Sequence, residues 1–176
     1  MNKRFFFVCT AAAALTVGTA APALADPTAA TITVTGGALQ ITVPSAVANL
    51  GTRANTVGGG AVTGALGVVV VNDARSAVAG SGWVASAIST AFTPRLAGGT
   101  AVGAGFVGYA AGDITKVGTA TYTANNRADM SADLAVVTAT GITGDNSATW
   151  NPQIEVRMAG NNALGIYDAT ITHSVL

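Results

Sequence analysis

Hydrophobic and polar residues alternate along much of this chain, and almost no segment carries a helical period. Ile32 and Val34 alternate with Thr31, Thr33 and Thr35, and Leu39, Ile41 and Val43 alternate with Gln40 and Thr42. A period of two puts successive side chains on opposite faces of a strand. Gly36-Gly37 lies between these two runs and tolerates positive φ at both positions of a tight turn. The spacing therefore predicts a β-hairpin over 30–43, ended at Pro44, which has no N–H to donate. The continuous apolar, β-branched run 66–71 predicts a central strand covered on both faces. A further strand is expected over 83–90, after a turn at Gly80-Ser81-Gly82, and others over 117–123 and 134–140. Ile154, Val156 and Met158 alternate with Gln153, Glu155 and Arg157 in another.

The strictest alternation is at 165–175. Tyr167, Ala169, Ile171, His173 and Val175 point one way, and Asp168, Thr170, Thr172 and Ser174 the other. This predicts one half-buried antiparallel strand, with Asp168 facing away from His173. Turn clusters at Gly58-Gly59-Gly60, Gly98-Gly99, Asn125-Asn126 and Asn161-Asn162 separate the runs. Many short strands with such turns predict an all-β fold: an antiparallel β-sandwich of Ig-like, Greek-key type with about eight or nine short strands. Residues 91–112 are glycine-rich and carry two aromatics, Phe106 and Tyr109. They read as a glycine-rich connection carrying one short strand, with a ligand loop packed over one end of the sandwich as the alternative.

The first 25 residues lie outside this pattern. Asn2-Lys3-Arg4 is a short basic region, 5–17 is apolar, and Ala23-Leu24-Ala25 is a small-x-small cleavage site. That arrangement predicts a secretory signal peptide helix over 1–25, removed to leave one domain over 26–176. The only cysteine, Cys9, leaves with it, so an exported domain is expected to be held by its core and not by disulfides. No apolar run in the remainder is long enough to span a bilayer. With no sorting signal or anchor after the last strand, the folded domain itself is expected to hold the protein in place.

Composition narrows the chemistry. Removing Lys3 and Arg4 leaves six basic residues against eight acidic ones, without a basic stripe, which argues against nucleic acid as a partner. The lone histidine, His173, does not make a histidine metal site. No nucleophile elbow and no phosphate-binding glycine loop is present. Asp129 and Asp133, near Asn125 and Asn126, match no calcium-loop spacing and read as a solvated turn. No cofactor, no metal and no catalysis are expected. Trp83 and Trp150 have two readings, as core anchors or as exposed platforms that stack on sugar rings.

Trp83-Val84-Ala85 and the final strand together resemble the WxL-domain cell-surface proteins, exported proteins of Gram-positive bacteria. The upstream element keeps its tryptophan, with Ala85 in the leucine's place. The C-terminal element keeps Tyr167 and Thr172, with Ile171 and Val175 standing for leucines and His173 for the second tryptophan. Val71-Asn72-Asp73-Ala74-Arg75 and Trp150-Asn151-Pro152, leading into Ile154-Glu155-Val156, support the likeness. It is closest in pattern to divergent actinobacterial members. The resemblance implies a β-rich domain attached non-covalently to the cell wall, through peptidoglycan or a wall polysaccharide, at the extracellular surface. It implies wall contact at Trp83, Trp150, Tyr167 and His173. The alternative is a subunit of a surface complex or adhesin that meets other exported proteins through the glycine-rich segment or an edge strand.

Overall fold

The computed structural model describes residues 31–45 and 48–176. The predicted signal peptide and Cys9 lie outside the described residues. Residues 35–176 form one compact unit. Its regular structure is antiparallel β apart from one 3-10 turn at Ala104–Phe106. No helix among the described residues is long and apolar enough to cross a membrane.

Ten strands follow in order: β1 (Leu39–Thr42), β2 (Gly60–Ala65), β3 (Val69–Ser89), β4 (Thr93–Pro94), β5 (Val107–Ala110), β6 (Thr115–Ala124), β7 (Leu134–Trp150), β8 (Gln153–Met158), β9 (Tyr167–Asp168) and β10 (Ile171–Val175). The larger sheet runs β6-β7-β3, and β1 and β10 share the remaining edge of β3. A second sheet is β2-β8-β5, and β4 and β9 make a short ribbon. The chain crosses from the first sheet to the second at Asn151-Pro152, where a buried proline ends β7 without needing a donor.

Three sequence expectations change here. The hairpin over 30–43 does not form: residues 31–38 carry no strand, and β1 pairs with β3, Leu39 opposite Asp73. The Gly36-Gly37 pair instead runs alongside β3, with the Gly37 amide donating to the Ala74 carbonyl at 2.5 Å. A Cβ on Gly37 would sit 2.8 Å from that of Ala74, so the glycine answers a close approach and not a turn. Second, the runs 66–71 and 83–90 are not separate strands. β3 carries on through the predicted turn as one 21-residue strand beside the 17-residue β7, with register shifts between Asp73 and Ala77, Ala77 and Ser81, and Ser81 and Trp83. Glycine in this stretch marks bulges, where an extra residue is absorbed without breaking the pairing. Third, the final strand is broken: β9 joins β4 and β10 joins β3, with Ala169 and Thr170 between them. The predicted alternation survives the break as far as His173: Asp168, Thr170 and Thr172 stay exposed while Tyr167, Ala169, Ile171 and His173 are half-buried, but Ser174 is half-buried too.

The core lies between the two sheets. β3 turns in Val69, Val71, Trp83, Ala85 and Ala87, and β7 turns in Val137, Ala139, Ile142, Ala148 and Trp150. The smaller sheet answers with Val107 and Tyr109 from β5 and Ile154 and Val156 from β8. In this sheet register Val107 and Val62 flank Val156, and Tyr109 and Gly64 flank Ile154. The period of two in 153–158 thus sends its apolar half inward and leaves Gln153, Glu155 and Arg157 outward.

Candidate functional site

The residues singled out by the sequence fall into two buried aromatic clusters and one separate ribbon. Trp83 is 2% exposed and its indole N–H donates to the Asn146 side-chain oxygen at 3.1 Å. The same oxygen accepts from the Tyr122 hydroxyl at 3.0 Å, and the Trp83 and Tyr122 rings meet with centroids 5.6 Å apart. The Asn146 amide then donates to buried Asp73 at 3.1 Å. Arg75, two residues along β3, forks onto both oxygens of that carboxylate at 2.8 and 2.9 Å. These donors, Arg75 first, hold the Asp73 carboxyl below its ordinary value against the opposing pull of burial. Asp73 and Asn146 face each other across β3 and β7, so the sheet register builds this network.

The second cluster joins three strands. The indole of Trp150, also 2% exposed, donates to the Tyr109 hydroxyl at 2.8 Å. That hydroxyl lies 3.1 Å from Nε2 of His173. The phenol oxygen, already accepting from Trp150, keeps one hydrogen and one lone pair, so the donor in this contact is set by the histidine tautomer. The other ring nitrogen, Nδ1, is buried with no hydrogen-bond partner among the described residues. Burial pushes the His173 pKa down from 6.5 to about 4 and raises that of Tyr109. The sequence named Tyr109 only as one aromatic in a glycine-rich run. Its Val107-Gly108-Tyr109 alternation was the available sign that it belongs to a core strand.

Tyr167 meets neither cluster. Its hydroxyl donates to the Ala163 carbonyl at 2.9 Å, and it pairs with Pro94 in the β4–β9 ribbon. Asp168 faces away from His173, as alternation required, and takes a fork from Arg95 at 2.6 and 2.8 Å. Trp83 and Trp150 sit in the core and present no ring face to solvent. The four residues do not share one surface. Asp129 accepts from the Ser131 amide at 2.8 Å, and Asn125 donates to the Thr138 hydroxyl at 2.9 Å.

What this architecture does present is a broad outer face on the larger sheet. Along β6 and β7, Thr115 lies opposite Thr149, Thr119 opposite Thr143, Thr121 opposite Thr140, and Thr123 opposite Thr138. Tyr122 and Ala139 between them turn inward, so the flanking threonines turn outward. Asn72 and Ser147 continue the same surface across β3 and β7. None of these paired positions carries a charge. Asp145, alongside, has its carboxylate on the Ser76 amide at 2.8 Å. Leu96, Leu164 and Ile166 are largely exposed around the β4–β9 ribbon, where the Arg95 amide donates to the Ile166 carbonyl.

Comparison with protein-family models, with curated proteins and with solved structures finds no match.

Proposed function

We propose that this chain is an exported, non-catalytic surface protein that attaches without covalent bonds to the bacterial cell wall, through peptidoglycan or a wall glycan. The observation that carries this reading is the outer face of β6 and β7, where four pairs of threonines lie opposite one another. Hydroxyls at strand spacing offer donors and acceptors to a polyhydroxylated polymer, and their methyl groups offer apolar contact without the desolvation cost of buried charge. The signal-like segment over 1–25 and the WxL-like elements around Trp83 and the last strand support it. Since both tryptophans are core residues, the wall contact is assigned to the threonine face and the two indoles to holding that face in shape.

The test is co-sedimentation of residues 26–176 with purified sacculi, beside a Thr121→Glu/Thr143→Glu variant. Both positions are exposed and not directly opposite one another, so the variant keeps the core. The parent is expected in the pellet and the variant in the supernatant. A parent that stays wholly in the supernatant overturns the reading.

A second reading, a subunit of a surface complex or adhesin, is favoured by the exposed Leu96, Leu164 and Ile166, of which Leu96 lies in the glycine-rich segment. Clustered aliphatics of this kind mark protein contacts. Crosslinking on intact cells that finds a protein neighbour at the β4–β9 ribbon, lost in Leu96→Ser, supports it.

A further inference from the structure

The outer face of the smaller sheet holds a groove of about 380 Å³, small but within the roughly 300–1,000 Å³ range of ligand pockets. Sheet register builds its floor. Thr63, Glu155 and Gly108 lie in one row across β2, β8 and β5, and Ala65, Gln153 and Ala110 lie in the next. Gly108 keeps the floor low: a Cβ there would sit 3.3 Å from the Arg127 carbonyl and 3.4 Å from the Glu155 carboxylate. The far wall is the segment Asn126, Arg127 and Ala128.

That wall is fastened at several points. The Tyr109 amide donates to the Arg127 carbonyl at 2.7 Å and the Arg127 amide to the Tyr109 carbonyl at 2.8 Å. Arg127 Nε donates to the Ala135 carbonyl at 2.7 Å. The Arg157 guanidinium donates to the carbonyls of Ala128 and Gly105. The groove is therefore preformed, which lowers the ordering cost of filling it.

Its chemistry is selective. Two primary amides, Asn126 and Gln153, a hydroxyl on Thr63 and a carboxylate on Glu155 face one shallow space. Planar amides and carboxylates supply paired donors and acceptors that match neighbouring hydroxyls. Glu155, the groove's carboxylate, pairs with Arg157 at 3.6 Å. A peptide strand has little room to add to β5, because the Tyr109–Arg127 bridge occupies part of that free edge. Tyr109 is 1% exposed, so its ring gives an aromatic ligand nothing to stack on.

The geometry points to a binding site for a short uncharged saccharide in this groove. It lies on a different sheet from the threonine face and stands or falls separately from wall attachment. The probes are di-N-acetylchitobiose and cellobiose, titrated into residues 26–176 while backbone amide resonances are followed by NMR. At least one probe is expected to give saturable shifts at Gly108, Ala110, Gln153 and Glu155. An Asn126→Ala/Gln153→Ala variant, both positions exposed, is expected to weaken that binding at least tenfold while its remaining spectrum is unchanged. Unsaturable shifts, shifts elsewhere on the surface, or equal binding by the variant each overturn the proposal. Sedimentation with sacculi is expected to be the same for parent and groove variant. Its loss in the Thr121→Glu/Thr143→Glu protein with saccharide shifts intact separates the two sites.

Discussion

His173 makes the fold sensitive to acid in a defined window. In the folded chain the Tyr109 hydroxyl occupies Nε2, and the other ring nitrogen is buried without a partner among the described residues. Protonation puts an N–H on both ring nitrogens, leaves the one on Nδ1 without an acceptor, and puts a charge among Trp150, Tyr109 and the strands around them. Burial accordingly brings the pKa to about 4, against 6.5 unfolded. A histidine with a depressed folded value binds protons more readily when unfolded. Stability is therefore fully present above pH 6.5, falls as pH drops below it, and levels off below about pH 4. Each tenfold rise in proton activity across this window costs about 1.4 kcal/mol, so the loss reaches about 2–3 kcal/mol by roughly pH 4.5. This chain has no other histidine, and carboxylates that are held low contribute mainly below that range, so the window isolates one group. Urea unfolding at pH 7.5, 6.5, 5.5 and 4.5 is the assay, with His173→Gln as the comparison. The glutamine oxygen accepts the Tyr109 hydrogen bond and does not titrate. The parent is expected to lose stability across the window and His173→Gln to stay nearly flat. A flat parent, or an equal slope in both proteins, refutes the reasoning.

The other expectations follow from the same packing. Asn146→Ala leaves the Trp83 indole without its acceptor and takes one donor from Asp73; it is expected to cost about 2–3 kcal/mol in chemical unfolding. Trp83→Ala empties a core site and is expected to cost about 3–5 kcal/mol. Trp83→Phe, once its circular-dichroism spectrum matches the parent's, is expected to sediment with sacculi like the parent, whereas loss of sedimentation in that folded variant would return the wall contact to the tryptophan. Gly118→Val is expected to cost roughly 1–3 kcal/mol from backbone strain alone. Gly118 has φ +86° and lies where a Cβ would meet the Asp145 carbonyl at 2.5 Å. Circular-dichroism melts check this, with Val117→Thr beside it as a near-neutral change on the same exposed strand.

Alternation by itself determined where most strands lie and which residues face inward. The inward set at Ile154 and Val156, the outward set at Asp168 and Thr172, and the all-β class were all legible, because a period of two has one geometric meaning. Tertiary structure decided which strands pair and where they end. Gly80 and Gly82 read as a turn in isolation, yet β7 lies alongside and supplies hydrogen-bond partners that carry β3 through with bulges. Gly36-Gly37 read as a hairpin for the same reason, but β3 offered β1 a better partner than residues 31–35 did. The clusters were hidden for a related cause. Trp150, Tyr109 and His173 are far apart along the chain and meet only because two sheets stack and β10 closes onto β3. Local alternation determines which face each side chain takes, whereas its neighbour across the core depends on sheet order and register, which nonlocal hydrogen bonding sets.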